Sequence, residues 1–192
     1  MRRNSRVRIT AALSASFAAL AIAAAPAAAQ TGGSASPAPT TAPAPTSGTP
    51  GVATLQADGS ALAPPDAPRP VRKAINAANR IRFKPYVYGG GHARWKAKGY
   101  DCSGAVSYVL HAAGLLKKRP LASGGLARQW GTDGIGQWIT VYANKGHAYA
   151  VIAGLRWDTS AVGEALNNGS GPRWRSTARD PSGYRAKYRL GL

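Results

Sequence analysis

The chain has 192 residues, with 25 Lys and Arg against 7 Asp and Glu, a formal net charge of +18. Its one cysteine excludes an internal disulfide framework and any multi-cysteine metal cluster, so no metal and no cofactor are expected. The length suits one ordinary domain with extensions.

Residues 1–29 read as a secretory signal peptide. Arg2, Arg3, Arg6 and Arg8 form a positive leader, an Ala/Leu-rich run follows from Ile9 to Ala25, and Ala27 to Ala29 supply small residues for cleavage near Gln30. The other reading, a retained anchor, has an apolar run at the short limit for crossing a bilayer. Export to a periplasm, cell wall or extracellular space is therefore expected. Residues 30–68 contain no Lys or Arg, only Asp58 and Asp66 as acids, and much Pro, Ala, Ser, Thr and Gly. So little bulky apolar surface does not offset chain entropy, and the segment is expected to be a disordered or polyproline-like linker. Residues 69–192 then form the domain. They carry 21 basic and 5 acidic residues, a net +16, with all five Trp and all eight Tyr.

Val71, Ala74, Ile75, Ala78 and Ile81 recur at helical spacing, and Pro85 limits that helix. Tyr86-Val87-Tyr88 enters a turn at Gly89-Gly90-Gly91, and residues 92–100 form a basic loop. The clearest helix runs from Asp101, a good N-cap, to Gly114, a C-terminal stop. A short helix is expected over 124–130. The period then changes to two: 138–142, 147–153 and 156–159 read as consecutive antiparallel strands, with Asn144-Lys145-Gly146 as a turn. A last strand is placed near 184–190 in a tail that resists assignment. Helices followed by a meander define an α+β domain.

Cys102 falls in the first turn of the clearest helix. Unpaired N–H groups and the positive end of the dipole there favour a thiolate, so Cys102 is a candidate nucleophile. The small neighbours Ser103 and Gly104 leave room for a carbonyl, and backbone N–H groups of that turn suit an oxyanion. Asp101, Ser103 and Tyr86 are taken as substrate-binding or oxyanion positions. A thiolate needs an imidazole partner. His111 lies nine residues on, across the helix, and reads as a surface or packing residue. His92 is a loop residue within reach of the site. His147 begins a strand directly after a turn and is the candidate base. Asp158, across the expected hairpin, is either the orienting acceptor for that ring or an aspartate at the surface or paired with Arg156.

Pro85-Tyr86-Val87-Tyr88-Gly89-Gly90, Asp101-Cys102-Ser103-Gly104-Ala105-Val106 and Gly146-His147-Ala148-Tyr149-Ala150-Val151 together resemble the NlpC-type papain-like cysteine endopeptidases of bacterial cell walls. The resemblance spans about residues 72–160. It implies a papain-like α+β fold, with the nucleophile helix packed on an antiparallel sheet, preceded here by the linker. It also implies hydrolysis of peptidoglycan stem peptides, usually between D-γ-glutamyl and a diamino acid. Carried over, Cys102 is the nucleophile, His147 the base, Asp158 the third member, and Tyr86 a tyrosine lining the site. The spacer between Gly90 and Cys102 is longer than usual in the family, and its third member is commonly His or another polar group.

The basic domain is expected to meet anionic envelope polymers as well as peptidoglycan, as a monomer and without a stable membrane span. His92, Arg94, Lys96 and Lys98 are placed at the cleft rim, the three cations to attract an acidic stem peptide. Two readings compete: an amidase or acyltransferase on the same thiol fold, and a non-catalytic basic envelope-binding protein. Export and the Cys/His pair argue against nucleic acid as the partner.

Overall fold

The computed structural model describes residues 51–161 and 170–192. The expected signal peptide (1–29) and residues 30–50 of the expected linker lie outside the described residues.

Helix α1 (Arg69–Ile81) opens with proline in its first turn, where a missing N–H costs nothing. Val71, Ala74, Ile75 and Ala78 are all fully buried, at the spacing that puts them on one stripe. Helix α2 (Cys102–Ala112) packs against α1, and everything from Cys102 to Leu110 is buried. Its C-terminus closes with two backbone bonds, Gly114 N–H to His111 O at 2.9 Å and Leu115 N–H to Leu110 O at 2.8 Å. Gly114 supplies the φ of 81° that this reversal requires. A third helix, α3 (Ser123–Gln129), follows.

Six strands form one antiparallel sheet: β3 (Thr132–Asp133), β4 (Ile139–Ala143), β5 (Ala148–Ile152), β6 (Leu155–Asp158), β7 (Arg173–Arg175) and β8 (Arg185–Tyr188), in the order β3-β8-β4-β5-β6-β7. Strands β4 to β7 are the meander, and β8 returns to the free side of β4. Ile139↔Ile152, Val141↔Ala150 and Ala143↔Ala148 are facing pairs, and all six residues belong to the core. The residues between them, Tyr142 and Tyr149, pair on the opposite face and stack with ring centroids 4.9 Å apart. Helix α2 packs on β5 and β6. The domain is therefore α+β, with the helix that carries Cys102 lying on an antiparallel sheet.

The expectation of a disordered linker up to residue 68 is corrected. Strands β1 (Thr54–Leu55) and β2 (Ala61–Leu62) form a small hairpin beside α1. Ala53, Ala61 and Ala67 are buried in the core. The Asn79 side chain accepts from Ala61 N–H and donates to Ala61 O, both at 2.9 Å. Alanine carries little hydrophobic signal in a sequence, yet it fills shallow space against a helix, and backbone bonds do the rest. Strand β7 was not foreseen either. Among the described residues no helix is long and apolar enough to cross a membrane.

Candidate active site

Asp101 organises the start of α2. Its backbone is extended, with φ −84° and ψ −179°, and its Oδ1 accepts from Gly104 N–H at 2.7 Å and Ser103 Oγ at 3.1 Å. His92 Nε2 lies 3.0 Å from the same oxygen, and Oδ2 accepts from Gly89 N–H at 3.1 Å. One buried carboxylate thus caps the helix and ties it to the glycine turn. The turn lies directly on the helix: a Cβ on Gly104 would sit 2.0 Å from Gly90 O. This contact is the physical reason for glycine at 104. Asp101 is an acceptor committed to these donors and does not serve as an oxyanion donor. Ser103 Oγ turns into the same network, 3.1 Å from His92 Nε2.

The preceding loop is fastened at both ends. Tyr86 and Tyr100 form a parallel bridge, and Tyr100 donates its hydroxyl to Trp95 O at 2.9 Å. Trp95 stacks on His111 at 3.9 Å, so His111 is a packing residue, one of its two expected roles. Tyr86 is 41% exposed. Burial, then the charges of Cys102 and Asp101, push its phenol above the ordinary range.

His147 is set by its turn. Asn144 Oδ1 accepts from Gly146 N–H and His147 N–H, both at 2.9 Å, and the strand starts one residue later. The ring donates from Nε2 to Asp158 Oδ1 at 2.8 Å. Cys102 interacts with the ring as well. Burial by itself lowers the imidazole. The hydrogen bond to Asp158, the interaction with Cys102 and the negative charges of both outweigh it and raise the ring from 6.5 to about 9.

Asp158 ends β6 with a fully buried side chain. Besides His147 it accepts from Ser160 N–H at 2.9 Å and from Arg179 Nη1 at 3.1 Å, and Arg156 Nε lies 3.7 Å away. Of its two sequence readings, the carboxylate meets His147 and also pairs with Arg156; it is not at the surface. The structure therefore brings Cys102, His147 and Asp158 into one row.

Arg179 and Tyr184 were missed by sequence reasoning. Arg179 Nη2 donates to Tyr184 Oη at 2.9 Å, and its guanidinium lies 5.5 Å from the Tyr149 ring centroid. Tyr184 meets His147 edge-on at 6.3 Å. Both come from the unassigned tail. Its readable signal was Asp180-Pro181-Ser182-Gly183, a turn motif that returns the chain, with Asp180 Oδ1 accepting from Ser182 N–H at 2.9 Å. The expected rim is not assembled as a unit. His92 joins the cap, whereas Lys96 borders a depression of about 450 Å³ with Arg80, Lys84 and Tyr108. Arg94 and Lys98 are exposed on the same loop.

The row offers a thiol at a helix N-terminus, an imidazole able to exchange a proton with it, and a buried carboxylate that fixes the ring. That is the equipment of nucleophilic acyl chemistry.

An α+β domain with a cysteine–histidine–aspartate row is the class that fold and site define. No family model matches the chain, and no curated protein does. Among solved structures it is similar to a hypothetical invasion protein of Mycobacterium tuberculosis, Rv1477, with 21% identity over 64% of this chain and 67% of that one, at a TM-score of 0.43. It is also similar to the resuscitation promoting factor interacting protein RipA mutated at C383, with 20% identity over 64% of this chain and 66% of that one, at a TM-score of 0.44.

Proposed function

We propose that this chain is an exported NlpC-type cysteine endopeptidase that hydrolyses amide bonds in peptidoglycan stem peptides, with D-γ-glutamyl to diamino acid as the bond cut. The observation that carries the reading is the His147 ring held between Cys102 and Asp158. The DCSG and YVYGG motifs supply the substrate class by resemblance.

In this reading the Cys102 thiolate attacks the carbonyl carbon and forms a C–S bond. The oxyanion meets the backbone N–H groups of Cys102 and Ser103, because Gly104 N–H is already taken by Asp101. Protonated His147 gives a proton to the leaving nitrogen as the C–N bond breaks, leaving a thioester. A water then attacks the thioester and gives its proton to His147. The C–S bond breaks, the free acid leaves, and the thiolate–imidazolium pair is restored. Asp158 keeps the ring in place and stabilises its positive charge.

The test is digestion of purified sacculi by the full chain and by Cys102→Ala, with fragments identified by mass spectrometry. A cut within the stem that vanishes in the variant is expected. Equal products from both proteins, or no product, would overturn the reading. Release of the whole stem from the sugar chain would make it an amidase, and joining of stems to an added amine an acyltransferase.

A further inference from the structure

The far end of α2 carries a second concave site. A cavity of about 680 Å³ opens beyond its C-terminus, with Lys117, Lys118, Arg119 and Arg189 in its lining. A neighbouring depression of about 340 Å³ shares Gln129 and Arg189 with it. Helix α2 has 11 residues, which puts this groove about 16 Å or more from Cys102.

Three observations point to an anionic ligand. No acidic residue lines either depression. Three described acids pair with cations elsewhere: Asp58 with Arg82, Asp133 with Arg185 and Lys187, and Asp158 with its two arginines. The backbone carrying the three consecutive cations is also held in advance. Leu115 O accepts from Trp130 Nε1 at 3.1 Å, Leu116 O from His111 Nδ1 at 2.9 Å, and Leu121 N–H donates to Ser107 Oγ at 3.1 Å. Arg189 is positioned 5.9 Å over the Trp130 ring. A backbone held in advance on both sides of the three cations keeps them together at the hollow, so less chain entropy is lost on binding.

We propose that this groove binds an extended phosphate-bearing polymer without bases, and so holds the domain on a polyanion while Cys102 stays free. Two neighbouring depressions that share Arg189 suit a linear chain better than a flat bilayer. Trp130 is 1% exposed, so no aromatic platform is offered for stacking nucleic-acid bases.

The probe is long-chain inorganic polyphosphate, titrated with the full chain between 0.05 and 0.3 M salt (roughly the range over which counterion release is read). The groove variant replaces Lys117, Lys118, Arg119 and Arg189 by Ala. A control replaces Arg69, Lys73, Lys84 and Lys145, removing the same charge elsewhere, and thermal melts check that both fold. The groove variant is expected to bind at least about tenfold more weakly and to lower the log–log salt slope by about 3, with the control changing far less. Equal losses in the two variants, or no binding by the natural chain at 0.15 M salt, would overturn the proposal. Tighter, groove-dependent binding to phosphatidylglycerol vesicles or to oligothymidylate would overturn it in favour of a membrane or nucleic acid.

Discussion

Nη1 of Arg179 lies 3.1 Å from Oδ2 of Asp158, on the side of the carboxylate away from His147. The tail thus braces the row of Cys102, His147 and Asp158 from behind. A cation beside Asp158 withdraws part of its negative charge from His147. Arg179→Ala is therefore expected to raise the titration midpoint of the His147 ring, read by NMR. It should also lower stability by about 2–3 kcal/mol, because a charged hydrogen-bond partner of a buried carboxylate is lost. Arg179→Lys, which keeps the charge, should stay near the natural midpoint. A downward movement in the Ala variant would mean that Asp158 leaves His147 without its brace, contrary to this account.

The raised imidazole makes a second prediction with a definite sign. The folded ring binds its proton more tightly than the unfolded one, about 9 against 6.5. Its contribution is complete below pH 6.5 and is lost as pH rises through 9. A shift of this size corresponds to roughly 3 kcal/mol. Urea denaturation of the natural chain and of His147→Gln should therefore differ most at pH 6 and converge by pH 10. A difference that does not change with pH over this range would show that the proton plays no part. Turnover on sacculi should fall on the same alkaline limb, because the leaving nitrogen then lacks its proton donor.

The parts of the site that could be read in the sequence are those with local signals. Asp101 announced a helix start, Gly114 its end, and Asn144-Lys145-Gly146 the turn that launches His147. Alternation from His147 to Ala153 marked the strand that follows. Asp158 could be read only as two alternatives, because its partners come from β6 and from a tail with no periodic pattern. Arg175 and Lys187 defeat pattern reading in another way. They are 1% and 4% exposed, cations buried where the local sequence gives no sign of it, and Lys187 reaches Asp133 at 3.1 Å. Long-range pairing of this kind leaves no trace in a window of ten residues.

Gly104 tests the contact between turn and helix. Alanine is the better helix former by up to about 1 kcal/mol, so propensity alone predicts a gain. The added Cβ would meet the Gly90 carbonyl at 2.0 Å, and that neighbour is backbone. The clash should win. Gly104→Ala is expected to lose about 2–3 kcal/mol in denaturant unfolding and to slow alkylation of Cys102 as the helix start shifts. A variant as stable as the natural chain would place the glycine turn elsewhere.

The hairpin before α1 is part of the folded unit. Ala53 N–H donates to Ala153 O at 2.8 Å, Arg82 pairs with Asp58 at 3.2 Å, and Asn79 holds both polar backbone groups of Ala61. Asn79 Oδ1 also accepts from Trp174 Nε1 at 2.8 Å, which links the hairpin to β7 across α1. A chain starting at residue 69 loses the buried alanines and these bonds, whereas one starting at residue 51 keeps them. The shorter chain is expected to melt at least about 5 °C lower than the longer one. Asn79→Ala in the longer chain should reproduce a good part of that loss, since it strands buried groups of Ala61 and Trp174 together. Equal melting temperatures for the two truncations would return residues 51–68 to the status of a linker.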